Sequence, residues 1–78
     1  MTIHKSIQCL SDHEREIFLL LIKNKTNKEI SKEIKRTVKT VKYYLTSIYK
    51  KLGVKSRYGA LFFAIKNELL TAKNIQLK

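Results

Sequence analysis

A chain of 78 residues makes one domain, in which only roughly 60% of the unfolded chain's surface can be buried, so its core has to be compact and locally built. Seventeen Lys and Arg against six Asp and Glu give a net charge of +11, a field that attracts polyanions, nucleic acid first and an anionic membrane second. The single cysteine, Cys9, excludes an intramolecular disulfide and fits a reducing cytoplasm, and the longest apolar run, Ile17 to Ile22, is far too short to span a bilayer.

Proline is absent and glycine occurs only at Gly53 and Gly59, so little interrupts long helices and an all-α chain is expected. Residues 1–9 carry no periodicity and read as a flexible arm, Lys5 to Asp12 lacks the apolar core of a signal peptide, and Cys9 reads as a small packed thiol near the first helix. At Ser11 the pattern changes. Ser11-Asp-His-Glu14 is a capping box, and it opens a first helix over about 12–23. Ile17, Phe18, Leu20, Leu21 and Ile22 give this helix an apolar face too broad for one neighbour, so it should be the central packing element. Asn24 suits the left-handed residue just past a helix end. Thr26-Asn-Lys-Glu29 is a second capping box; it opens a short helix over 27–34 that buries Ile30 and Ile34. Thr37 is well placed as the next N-cap, which leaves only Lys35, Arg36 and Thr37 between two helices, the spacing of a helix-turn-helix.

The third helix, 38–52, carries two faces of different purpose. Val38, Val41, Leu45, Ile48 and Leu52 alternate at spacings of three and four and gather into one apolar stripe. Lys39, Lys42, Tyr43, Thr46 and Lys50 repeat at the same spacings well over a quarter-turn away. No acid occurs between Lys35 and Ser56, and from Lys23 to Arg57 twelve Lys or Arg stand against only Glu29 and Glu33. Gly53 ends the helix as a left-handed cap between Leu52 and Val54.

Ser56 caps a fourth helix over 57–68 that is apolar on two sides. Ala60, Phe63 and Ala64 suit close packing on the domain, whereas Tyr58, Leu61, Phe62, Ile65 and Leu69 cluster nearly opposite and point to a partner subunit, with Tyr58, Phe62, Ile65 and Leu69 as the expected dimer interface; the competing reading makes Leu61 and Ile65 core and leaves only Tyr58 and Phe62 protruding. The domain therefore spans Leu10 to Leu70, and residues 71–78 read as a flexible tail.

Four blocks carry a family resemblance: Leu10-Ser-Asp-His-Glu-Arg-Glu-Ile17, Thr26-Asn-Lys-Glu-Ile30, Lys39-Thr-Val-Lys42 and Lys50-Lys-Leu-Gly-Val-Lys-Ser-Arg57. With their spacing kept from about Leu10 to Leu70, the chain resembles the LuxR/GerE-type helix-turn-helix family. The resemblance implies a bacterial transcription regulator whose third helix enters the DNA major groove and whose fourth helix pairs subunits on a pseudo-palindromic site. It places the base-reading positions on Lys42, Tyr43 and Thr46. Their chemistry agrees: Lys can donate to guanine, a Thr hydroxyl serves either base while its methyl meets thymine's, and a Tyr ring packs on a methyl or reaches a phosphate. Lys39, Thr40 and Lys50 suit phosphates, as do Asn27 and Lys28 at the start of the second helix. Three residues depart from the family pattern. Arg36 replaces an apolar turn residue, so either Val38 fills that space or the turn packs differently; Asn24 replaces a Gly, and Tyr44 replaces a frequent His. Glu14 and Arg57 match family positions but read as structural, Glu14 closing a cap and Arg57 pairing with an acid of the first helix.

Catalysis has no basis here, since no acid, His or Cys cluster has the spacing of a catalytic or metal site and no Gly-rich loop is present, so neither a cofactor nor a metal is expected. The beginning at Met1, with nine residues before the fold, favours a stand-alone regulator. The competing readings are the output domain of a larger response regulator, and a basic interaction module for RNA polymerase or another regulator. Double-stranded DNA and a second copy of the chain are the expected partners.

Overall fold

The computed structural model describes residues 7–67 and contains four helices: α1 (Asp12–Ile22), α2 (Asn27–Ile34), α3 (Val38–Leu52) and α4 (Arg57–Lys66). They follow the expected order. α1 ends one residue sooner than expected, at Ile22, and α4 has its cap at Asn67; Glu68, Leu69 and the tail lie outside the described residues. α1 packs against all three other helices, as its broad apolar face requires.

Local side-chain chemistry starts every helix. Ser11 with Glu14 and Thr26 with Glu29 close reciprocal capping boxes, in which the hydroxyl accepts from the third helical amide and the carboxylate accepts from the cap amide. Thr37 and Ser56 accept from the amides of Thr40 and Gly59 in the same way, without the return bond. Three helix ends share one device. Asn24, Lys35 and Gly53 are left-handed, at φ 66°, 57° and 71°, and the amide that follows each donates back to a carbonyl: Lys25 to Leu20, Arg36 to Ser31 and Val54 to Tyr49. Asn and Gly were expected in that role; Lys35 was not. Its conformation closes the turn between α2 and α3, where Arg36 is exposed, Val38 is half-buried and Ile34 packs against the core. The turn is thus sealed by its backbone and by Ile34, with no apolar residue at position 36.

The core joins Ile17, Phe18, Leu21 and Ile22 of α1 to Ile30 of α2, Val41, Leu45 and Ile48 of α3, and Ala60 and Ala64 of α4. The small α4 residues let that helix approach closely, and Phe63 meets Phe18 edge to face, with ring centroids 6.5 Å apart. The packed structure also begins earlier than Leu10. Ile7 and Leu10 are both buried, three residues apart on a turn closed by the Leu10 amide on the Ile7 carbonyl at 3.1 Å. A single turn is too short to show periodicity. Cys9, on the same turn, is exposed rather than packed.

Glu14 is buried at 4% exposure, and its carboxylate is fully engaged. Oε1 accepts from the Ser11 amide at 2.8 Å and from the Lys51 ammonium at 2.7 Å; Oε2 accepts from the Ser47 hydroxyl at 2.6 Å. Burial alone would raise its pKa, but Lys51, the Ser11 amide and Ser47 together outweigh that and lower it from 4.5 to about 2. A carboxylate whose pKa is depressed on folding stabilises the fold above the unfolded value, and that contribution is lost as pH falls toward the folded one. Glu14→Gln is therefore expected to lower stability at pH 7 by on the order of 2 kcal/mol, and the difference from the parent should shrink between about pH 5 and pH 2. Urea denaturation across that range, followed by circular dichroism, measures both; a gap independent of pH would show that the charge on Glu14 is not what stabilises.

Candidate nucleic-acid interface

With Val41, Leu45 and Ile48 turned into the core, the opposite side of α3 is open to solvent. Lys39, Lys42, Tyr43, Thr46 and Lys50 are all exposed along it, Tyr43 at 73%. The structure thus brings together all three expected base readers and two of the expected phosphate anchors on one exposed face of a helix that contains no acid. Thr40 is different: half-buried at the helix start, its hydroxyl accepts from the Thr37 hydroxyl at 3.0 Å, so its own proton stays available.

Thr46 has a defined polarity. Its hydroxyl donates to the Lys42 carbonyl at 3.0 Å, which commits the proton and leaves the oxygen lone pairs facing outward beside the methyl group. Lys42 offers only donors. Adjacent turns of the helix therefore present a cationic donor, an aromatic ring and a neutral acceptor.

The start of α2 borders a second cationic surface. Asn24, Lys25, Thr26, Asn27, Lys28 and Arg57 line an open depression of about 490 Å³. Arg57 does not pair with an acid of the first helix, the structural role expected of it; it donates to Oδ1 of Asn27 at 3.1 Å, while Glu14, the buried acid of α1, is taken by Lys51. The bond fixes Asn27 with its amide nitrogen still free to donate, next to exposed Lys28 and the outward amides of the helix start. Lys51, next to Lys50 in the sequence, has a different role. One residue's rotation separates them: Lys50 stays on the exposed face, whereas Lys51 reaches α1. A signal was present, because Glu14 continues the 14, 17, 18, 21 spacing of the buried α1 residues.

On α4, Tyr58, Phe62 and Ile65 are exposed at 80%, 68% and 43%. Leu61, expected among them, is half-buried and packs against the core. Leu69, the fourth expected interface residue, lies outside the described residues. Among the described residues no helix is long and apolar enough to cross a membrane, and no group of His, Cys, Asp and Glu could hold a metal ion.

Residues 8–64 match the model of the bacterial regulatory proteins of the luxR family. The chain belongs to this family. It is similar to the transcriptional regulatory protein LiaR of Bacillus subtilis (strain 168), at 43% identity over 81% of this chain and 30% of LiaR. The spore germination protein GerE of the same organism is 44% identical over 67% of this chain and 70% of GerE. The response regulator protein VraR of Staphylococcus aureus (strain Mu3 / ATCC 700698) is 36% identical over 81% of this chain and 30% of VraR. The chain thus spans less than a third of LiaR and VraR and most of GerE. No solved structure matches it. The four helices are those of a luxR-type helix-turn-helix domain, a DNA-binding domain of transcription regulators.

The division between Lys50 and Lys51 is measurable without DNA. Lys51→Ala should destabilise the domain by about 1–2 kcal/mol, because it leaves a buried carboxylate short of its cationic partner. Lys50→Ala should change stability by less than about 0.5 kcal/mol. Equal effects in urea denaturation at pH 7 would show that Lys51 is no more structural than its neighbour.

Proposed function

We propose that this luxR-family domain is a sequence-specific reader of double-stranded DNA that binds as a homodimer on a pseudo-palindromic site, with α3 in the major groove. The observation that carries the reading is the outer face of α3, where Lys39, Lys42, Tyr43, Thr46 and Lys50 are exposed together with no acid among them. Lys42 donates to guanine O6 or N7. Thr46, with its proton committed to the backbone, accepts from adenine N6 or cytosine N4, or sets its methyl against thymine's, and Tyr43 packs on a base methyl or reaches a phosphate. Lys39, Thr40 and Lys50 hold phosphates, and Asn27 and Lys28 hold another at the start of α2. Tyr58, Phe62 and Ile65, with Leu69 beyond them, pair two copies through α4. Such a reader works in the bacterial cytoplasm, where the DNA is.

Two further readings have observations behind them. VraR is named a response regulator, and this chain covers 30% of it, which favours a role as the output domain of a longer regulator. The +11 charge is also compatible with a basic module that binds RNA polymerase or another regulator through its field alone.

Selection of bound duplexes from a random pool tests DNA binding, half-site spacing and dimer symmetry at once. The selected inverted repeat should be preferred over random DNA by about 10³-fold or more at physiological salt, with affinity falling steeply as salt rises. Equal affinity for both duplexes would leave only the basic module. Lys42→Ala should cost on the order of 1–3 kcal/mol on the selected site and relax its specificity, whereas Lys50→Ala should weaken all sequences alike. Phe62→Glu should give a monomer that keeps its helices, as read by sedimentation and circular dichroism; an unfolded product would mean that Phe62 belongs to the core.

A further inference from the structure

Tyr44 stands beside the outer face of α3 without belonging to it. It is half-buried and packs against the core, whereas Tyr43 is largely exposed. Successive residues on a helix point about 100° apart, so adjacent aromatic rings meet only when both side chains lean into the gap between them. These two do: the ring centroids of Tyr43 and Tyr44 are 6.0 Å apart and the planes stand at 69°, an edge-to-face contact. Tyr44 also meets the ring of His13, in the first turn of α1, with centroids 6.1 Å apart and planes tilted by 36°. The three rings form a row that begins on α1, passes through the half-buried Tyr44 and ends on Tyr43.

Tyr43 loses freedom by this contact. An exposed tyrosine on a helix has two favourable χ1 wells, and a neighbouring ring on one side makes them unequal. A side chain ordered before binding does not lose that entropy on binding. Tyr44 cannot turn outward to read a base itself without leaving the core and His13. The geometry points to Tyr44, backed by His13, as a positioning residue that sets the ring of Tyr43 for its base contact and so contributes to sequence specificity. The inference rests on α3 being the DNA reader. With Tyr43 on a base methyl and the phosphates left to Lys39 and Lys50, which stand outside the row, affinity for arbitrary DNA does not depend on it.

The first test needs no DNA. Three-bond couplings about χ1 of Tyr43, measured by NMR in the free protein, should report one dominant rotamer in the parent and in Tyr44→Phe, and averaging in Tyr44→Leu. The second uses the selected duplex and a random one. Tyr44→Leu should weaken binding to the selected duplex roughly three- to tenfold, leave the random duplex unchanged, and have no effect when Tyr43 is already replaced by Ala. Tyr44→Phe should bind like the parent, since the ring and not the hydroxyl does the positioning. His13→Ala, at an exposed residue that carries little folding risk, should loosen Tyr43 part-way and show the same dependence on Tyr43. Unchanged couplings in both Tyr44→Leu and His13→Ala would overturn the proposal, as would losses equal on the two duplexes or undiminished in the Tyr43→Ala background. Lys42→Ala separates the two levels: if it weakens the selected complex and Tyr44→Leu does not, only the positioning role falls; if it has no effect, the reading of α3 falls and the proposal with it.

Discussion

The rotation of α3 about its own axis is the constraint on which the rest of this domain depends. Val41, Leu45 and Ile48 are at most 4% exposed, pressed against the apolar face of α1, and a turn of one residue would carry Lys42 into that contact. The apolar stripe alone sets the angle only coarsely, because dispersion and burial are not directional. The bond set at Glu14 is directional. Its two oxygens take Ser47 and Lys51, four residues apart on one flank of α3, so the helix is held at two heights by one buried carboxylate. The same oxygen that receives Lys51 also receives the Ser11 amide and closes the cap of α1. One side chain therefore joins the start of the first helix to the setting of the third.

What the outer face can do follows from that setting. Lys50 and Lys51 are adjacent, equally basic and both exposed, yet the fixed rotation brings only Lys51 to Glu14. Arg57 and Asn27 repeat the pattern at the other surface, where a cation of α4 orients an amide at the start of α2. In each case part of the chain's positive charge is used to position elements, and the remainder is displayed. The Arg15 guanidinium likewise stays within its own neighbourhood, on Asp12 and the Leu10 carbonyl.

The parts of this fold that were legible in the sequence are those with short-range causes. Ser11, Thr26, Thr37 and Ser56 act on amides three residues away, and Asn24 and Gly53 accept a left-handed backbone by their own chemistry. The exposed face of α3 was legible because periodicity alone assigns it. The partners of Glu14 lie 33 and 37 residues along the chain and that of Arg57 lies 30, and no local pattern determines such pairs. Arg57 was matched to an acid of the first helix because charge complementarity was the only guide; the structure gave Glu14 to a lysine and left Arg57 a neutral carbonyl. Lys35 was unreadable for a different reason. A left-handed Lys is disfavoured by its own Cβ and is held by what flanks it, Ile34 packed on the core and Thr37 capping α3, which oblige the chain to reverse within three residues.

The charge that suits this surface to DNA also works against the fold. Twelve Lys or Arg between Lys23 and Arg57 repel one another in the native state more than in an extended chain, and only Glu29 and Glu33 lie among them in sequence. The capping boxes and the Glu14 network work in the other direction, since each places a carboxylate where it meets a helix start or a cation at short range. A polyanion laid along α3 would relieve the residual repulsion and so stabilise the domain as it binds, because a ligand that prefers the native state shifts the folding equilibrium toward it. Charge that opposes folding and charge available to a polyanion thus sit on the same lysines of α3.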